Sequence, residues 1–76
     1  MLIYSLDRKK IIKARSLSVE KNMTTKKEEK YAIVAENNAG LSAVIAALYP
    51  DEKTAVDALE KAYQAFADGA KAYKFD

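Results

Sequence analysis

Apolar and polar residues alternate along the first half of the chain, a pattern typical of β-strands that bury one face. The alternation predicts strands over residues 1–6, 11–19 and 31–36, which contain many β-branched or aromatic side chains. In the second strand the positions expected to face inward change parity near Ser16, which indicates a β-bulge. The polar segment 20–30 has no periodicity, and we expect it to be a surface loop.

The clearest turn in the sequence runs from Asn37 to Gly40, because asparagine and glycine tolerate the positive φ that tight hairpins need. It predicts that a strand over residues 41–49 pairs antiparallel with the strand over 31–36. The alanines of segment 41–49 also suit a buried helix, since periodicity does not separate the two in a short apolar run. We favour the strand, and the helix is the alternative.

A helix is predicted over residues 52–67. Asp51 is placed to cap its first turn, and Gly69 follows its last turn, where a left-handed residue often ends a helix. Apolar residues spaced by three and four form a stripe that we expect to pack on the sheet: Ala55, Val56, Leu59, Ala62, Tyr63 and Phe66. Alternation returns over residues 70–75 and predicts a short final strand.

Together these elements predict one α+β domain over residues 1–76. We expect a four-stranded antiparallel sheet, with the single C-terminal helix packed on one face and the short final strand at the sheet edge. A chain of 76 residues has room for one domain of this kind.

The composition argues against most catalytic chemistry. The chain has no cysteine and no histidine, so thiolate nucleophiles, zinc-thiolate sites and the usual general base near neutral pH are missing. The adjacent carboxylates Glu28 and Glu29 lie in the predicted loop, and Asp51 and Glu52 are explained by helix capping. With only two glycines there is no glycine-rich phosphate loop. We therefore expect no enzyme activity, no catalytic or metal site and no cofactor.

The sequence also gives no sign of a membrane or export segment. Its longest apolar run, within residues 41–49, is far shorter than the roughly 20 residues that cross a bilayer. The first residues lack the basic leader and apolar core of a secretory signal. We expect a cytoplasmic protein without a membrane partner.

Charge is distributed unevenly, since residues 1–30 carry a net charge of +5 and residues 31–76 carry −3. Five cations near the first predicted hairpin are the candidate nucleic-acid contacts: Arg8, Lys9, Lys10, Lys13 and Arg15. Such side chains can bind phosphates with release of counterions, and Tyr4 or Tyr31 could offer a surface for base stacking. Lysines on strand edges also prevent sheet-to-sheet aggregation without any ligand.

Three apolar side chains are the candidate protein contacts. Met23 lies in the middle of the polar loop, and we expect Tyr73 and Phe75 to form an exposed aromatic pair on the final strand. Large rings give contact area at low entropic cost. Because small domains often complete their burial by pairing, we expect a protein partner or a homodimer, with nucleic acid as the less favoured partner.

Both ends of the chain resemble a group of very small uncharacterised proteins from Firmicutes and their prophages. The resemblance rests on Ser-Leu-Asp-Arg-Lys-Lys-Ile-Ile after the first strand and on the strand, capped helix and glycine between Leu48 and Gly69. It implies this fold and a prophage or mobile-element setting, and it assigns no activity to any residue. The sequence thus predicts a non-enzymatic protein-interaction module, an accessory protein of such an element. The alternative is a nucleic-acid-associated accessory protein that uses the basic hairpin at 8–15.

Overall fold

A computed structural model describes residues 1–37 and 43–76, and these residues form an α+β fold with one α-helix. A short 3₁₀ turn, Lys27–Glu29, lies in the loop before the fourth strand. The strands and the helix follow in the order β1 (Leu2–Tyr4), β2 (Ile11–Lys13), β3 (Ser16–Lys21), β4 (Tyr31–Glu36), β5 (Ala43–Tyr49), α1 (Glu52–Ala67) and β6 (Ala72–Lys74).

The described strands form two sheets of three strands, so the prediction of a single four-stranded antiparallel sheet is wrong. The first sheet has the order β2-β1-β6 and the second has the order β3-β4-β5. The predicted strand over 11–19 breaks because two successive amides bond to different sheets. Ala14 N donates to Met1 O at 2.8 Å, whereas Arg15 N donates to Glu36 O at 2.7 Å. The parity change near Ser16 marks this corner, where the chain leaves the first sheet and enters the second.

A second backbone hydrogen bond joins the two sheets at the end of β1. The register of β4 and β5 shifts at one point, so that Ile33 pairs with Ala47 and Val34 pairs with Ile45. Ala46 lies between these pairs, and its carbonyl accepts a 2.8 Å bond from the amide of Leu6, just after β1. The irregularity in β5 thus supplies the acceptor that holds the end of β1 against the second sheet.

The strand prediction for 41–49 is confirmed for Ala43–Tyr49, which pairs antiparallel with β4. The alternative of a helix is wrong for that part of the segment. The predicted turn at 37–40 and the first two residues of the predicted strand fall largely on 38–42, outside the described residues.

Both ends of α1 are as the sequence predicts, and so is its span, Glu52–Ala67. The carboxylate of Asp51 accepts a 2.8 Å bond from the amide of Thr54 and caps the first turn. After the last turn Gly69 has a φ of +96°, and its amide donates to Phe66 O. Ala70 N donates to Ala65 O, which completes the bond pair of a Schellman ending.

The helix packs on the sheets most closely through two alanines, and Leu59 and Phe66 are partly buried beside them. Ala55 and Ala62 are fully buried, while Val56 and Tyr63 are 42% and 64% exposed. The predicted stripe is therefore wrong at Val56 and Tyr63, each of which follows a buried alanine and is rotated about 100° from it around the helix. Small side chains let the helix backbone approach the sheets closely, so the larger neighbours remain at the flank.

The final strand runs parallel to β1 and turns its aromatic residues inward. Phe75 is completely buried, so the prediction of an exposed aromatic pair is wrong. Tyr73 is half-buried, and its ring packs edge-on against that of Phe75 with 5.1 Å between centroids. Alternation correctly placed both rings on one side of the strand, but the side is the one that faces the core.

We expect that enlarging a buried alanine of α1 will destabilise the protein. Ala62→Leu adds volume where the helix contacts the sheets, and overpacking of this kind lowers the free energy of unfolding by about 1–3 kcal/mol. Ala67→Leu makes the same change at an exposed position of the helix and should alter stability by less than about 0.5 kcal/mol. Urea unfolding followed by circular dichroism compares the two, and equal stability would contradict the alanine-mediated packing.

Candidate functional site

A hydrogen-bonded turn connects β1 to β2. Ser5, which is fully buried, donates its hydroxyl to Asp7 Oδ1 at 2.6 Å, and the same oxygen of Ser5 accepts from Lys10 N at 3.1 Å. Asp7 Oδ1 also accepts from Lys9 N at 2.9 Å, and Ser5 O accepts from the amide of Arg8. These bonds join side chain and backbone across the whole turn, so they fix its conformation.

The turn places Arg8 in a left-handed conformation, with a φ of 65°. Side chains other than glycine rarely adopt this conformation, and it persists only where the surroundings hold it. Here the guanidinium Nη1 donates to Ser5 O and to Phe75 O, and the group lies 5.2 Å from the centroid of the Tyr4 ring. Arg8 therefore links the turn, β1 and the end of the chain after β6.

Asp7 is the titratable group of this turn. The hydrogen bond from Ser5 lowers its pKa below the ordinary value of 3.8, the amide of Lys9 lowers it further, and the charges of Lys10 and Lys9 add to the effect. Because its pKa is lower in the folded state, Asp7 contributes stability above the ordinary pKa. That contribution is lost as the pH falls through the folded value.

The structure does not bring the five predicted nucleic-acid residues together. Lys13 points outward from β2, Arg8 packs on Tyr4, and Lys10 faces Asp7 with its Nζ 4.0 Å from the carboxylate. Arg15 lies beyond the corner between the sheets and borders the helix. Lys13 and Arg15 border one shared pocket beside Met1, whereas Arg8, Lys9 and Lys10 lie in the turn between β1 and β2. The basic segment is therefore divided between surfaces, and it is not one patch.

One of these surfaces is the outward side of the first sheet. We call it the outer sheet face and define it by the outward residues of its three strands: Leu2, Tyr4, Ile11, Lys13, Ala72 and Lys74. All six are exposed, whereas Ile3 and Ile12 point inward and are buried. The pairing register places Lys13 beside Leu2 and places Lys74 beside Tyr4.

The other surface is a groove beside α1, which we call the helix groove. Its volume is about 510 Å³, and its lining consists of Met1, Arg15, Ser16, Leu17, Val56, Leu59, Glu60, Tyr63 and Phe66. Most of these side chains are apolar, and Arg15 and Glu60 supply one charge of each sign. The groove exists because the buried alanines of α1 leave Val56 and Tyr63 unburied beside β3.

The predicted protein-contact residues do not line this groove. Met23 is 92% exposed in the loop before the 3₁₀ turn, while Tyr73 and Phe75 pack inward. Helical spacing placed Val56 and Tyr63 in the predicted buried stripe, so their exposure was not expected from the sequence. No local signal separates them, because Ala58-Leu59 and Ala65-Phe66 repeat the same spacing and yet Leu59 and Phe66 pack against the core.

Comparison with known proteins adds no identification. No protein-family model matches the chain, and no curated protein or solved structure gives a significant match. Among residues 1–37 and 43–76, no helix is both long and apolar enough to cross a membrane. The same residues contain no group of three carboxylates placed to hold a metal ion.

We expect the pKa of Asp7 to depend on the hydroxyl of Ser5. Ser5→Ala removes the strongest hydrogen bond to the carboxylate, so the pKa of Asp7 should rise toward its ordinary value. Asp51 is an internal control, because its low pKa comes from bonds donated by Thr54. Carboxyl chemical shifts followed by NMR across acidic pH measure both groups. An Asp7 titration identical in the two proteins would contradict the role of Ser5.

Proposed function

We propose that the protein is a non-enzymatic interaction module that pairs with a second copy of itself through the helix groove. The observation that carries the proposal is the exposure of Val56 and Tyr63 over an apolar groove, although both belong to the apolar stripe of α1. Apolar side chains clustered at an opening of this size are typical of protein-contact surfaces. The absence of cysteine and histidine from the sequence supports a non-enzymatic role.

The chemistry of the groove favours a protein surface over a small ligand. Small-molecule sites combine an apolar lining with several polar groups that converge on the ligand. In the helix groove the polar lining residues are Arg15, Ser16 and Glu60, and the groove is open to solvent along Tyr63. A broad apolar contact with a charged rim fits this arrangement.

The charges of the groove favour a second copy as the occupant. Arg15 comes from the corner between the sheets, and Glu60 comes from α1, so one groove carries both signs. A two-fold axis through the groove would bring Arg15 of one copy to Glu60 of the other, and the reverse pair would form by symmetry. A groove that carries both charges can therefore pair with a second copy without opposing like charges.

The composition of the core supports association as well. Of the twelve buried apolar residues in the described part of the chain, seven are alanine: Ala14, Ala32, Ala35, Ala46, Ala47, Ala55 and Ala62. Several of the larger apolar side chains remain exposed, so one copy alone leaves apolar area that pairing could bury. The resemblance to small prophage proteins is the support for a mobile-element accessory role.

Sedimentation equilibrium tests the pairing directly. The unmodified protein should sediment as a dimer at micromolar concentration, and Tyr63→Lys should sediment as a monomer because it places a charge in the groove. Gln64→Lys is the matched control, since it adds the same charge to the next residue, which is exposed and outside the groove. A monomeric unmodified protein, or a dimer unaffected by Tyr63→Lys, would overturn the proposal.

Charge exchange tests the two-fold arrangement. Arg15→Glu and Glu60→Arg each oppose like charges across the axis and should weaken the dimer about fivefold, since two exposed ion pairs are lost. Mixing the two single variants should restore pairing, because each copy then supplies the charge that the other needs. If the mixture pairs no better than either variant alone, the second copy does not bind in this orientation.

A further inference from the structure

We propose that the outer sheet face binds single-stranded nucleic acid. This face is separate from the helix groove, and the proposal does not depend on the pairing of two copies. The proposal depends on three features of one short sheet: an exposed aromatic ring, an arginine guanidinium 5.2 Å from the centre of that ring, and two lysines on opposite edge strands. The sequence alone suggested a basic hairpin, whereas the structure divides that hairpin and adds Lys74 from β6.

The lysines are arranged to contact separate phosphates. Lys13 is level with Leu2 on one edge strand, and Lys74 is level with Tyr4 on the other edge strand. With strands about 4.8 Å apart and a rise of about 3.3 Å per residue, their Cα atoms lie roughly 12 Å apart along a diagonal. The ion pairs of the described residues join Lys10 to Asp7 and Lys53 to Asp57, so both lysines of this face are without an acidic partner there.

Arg8 supplies a third, oriented cation. Both of its hydrogen bonds to backbone carbonyls use Nη1, which leaves the Nε and Nη2 hydrogens without an acceptor among the described residues. The left-handed backbone of Arg8 costs conformational free energy, and an arginine that contacted only solvent would not need this conformation. The turn thus holds a guanidinium with free donors at the end of the outer sheet face, and guanidinium groups bind phosphate well.

The apolar residues of this face fit unpaired bases. Tyr4 lies at the middle of the sheet with the Arg8 guanidinium over its ring, and bases stack on both tyrosine rings and guanidinium planes. Ile11 is directly across from Tyr4 and is 73% exposed, so it can contact an adjacent base. A duplex keeps its base faces stacked inside, and it would leave these side chains unused. The combination therefore favours a single strand.

Fluorescence anisotropy with a labelled 20-nucleotide oligo-dT tests the proposal. Three phosphate contacts predict a slope of log affinity against log salt near −2, so affinity should fall about 20-fold between 50 and 200 mM salt. An unlabelled duplex of the same length should compete poorly. No binding at 50 mM salt, or equal competition by the duplex, would overturn the proposal.

Variants assign the binding to this face. Lys13→Glu and Lys74→Glu should each weaken binding and bring the slope to about −1.4, because one phosphate contact is lost. Lys61→Glu makes the same charge change on α1 and should have little effect. Tyr4→Leu should lower affinity about tenfold while the slope stays near −2, since it removes stacking and no cation. If Lys61→Glu weakens binding as much as Lys13→Glu, the protein attracts nucleic acid through its overall charge, and the outer sheet face is not the binding site.

An anionic lipid surface is the competing ligand, because lysines and exposed apolar side chains also suit a membrane interface. Co-sedimentation with vesicles of phosphatidylserine and phosphatidylcholine distinguishes the two. We expect the protein to stay in the supernatant at the salt concentration where it binds oligo-dT. If the protein binds vesicles, loses this binding in Lys13→Glu and does not bind oligo-dT, the ligand of the outer sheet face is a membrane and not nucleic acid.

Discussion

The structure depends on a corner in the backbone, where the amide of Ala14 donates to the first sheet and the amide of Arg15 donates to the second. Ala14 is buried, and a buried amide without an acceptor would cost about 1–3 kcal/mol. The corner therefore divides what would be one long strand between two sheets. The corner orients the first sheet, which contains β1, β2 and β6, so that one face of the sheet packs on the core and the other face is exposed to solvent. It also brings Arg15 to the groove beside α1.

Small side chains then determine what remains at the surface. Alanines on α1 and on β4 and β5 bring the helix close to the second sheet, so the core is narrow. The larger apolar residues of the helix cannot all enter it, and Val56 and Tyr63 stay exposed. Ile11 is exposed for a different reason, because it lies on the outward side of β2. These side chains form parts of two surfaces with different chemistry. One is an apolar groove with balanced charges, and the other is a basic sheet face with a stacked ring.

Local signals predicted the elements well, and contacts between distant residues decided the rest. The capping carboxylate of Asp51, the helical periodicity and Gly69 define α1 within the sequence itself. Alternation located β4, and the predicted turn after it favoured a strand over the described part of β5. Alternation also continues through the corner and cannot show a change of sheet. It does not tell which side of a strand faces the core, so Phe75 was placed outside. The position of Arg8 depends on a left-handed turn and on carbonyls of Ser5 and Phe75, which no periodic pattern encodes.

The most direct test of the account is amide hydrogen exchange, measured residue by residue by NMR. The two bonds that join the sheets give Leu6 N and Arg15 N acceptors in the second sheet, although neither residue lies within a strand. We expect these two amides to exchange as slowly as those in the centre of β4. If both exchange as fast as the amide of Thr25 in the exposed loop, the sheets are not joined at the corner and the two surfaces are not fixed in place.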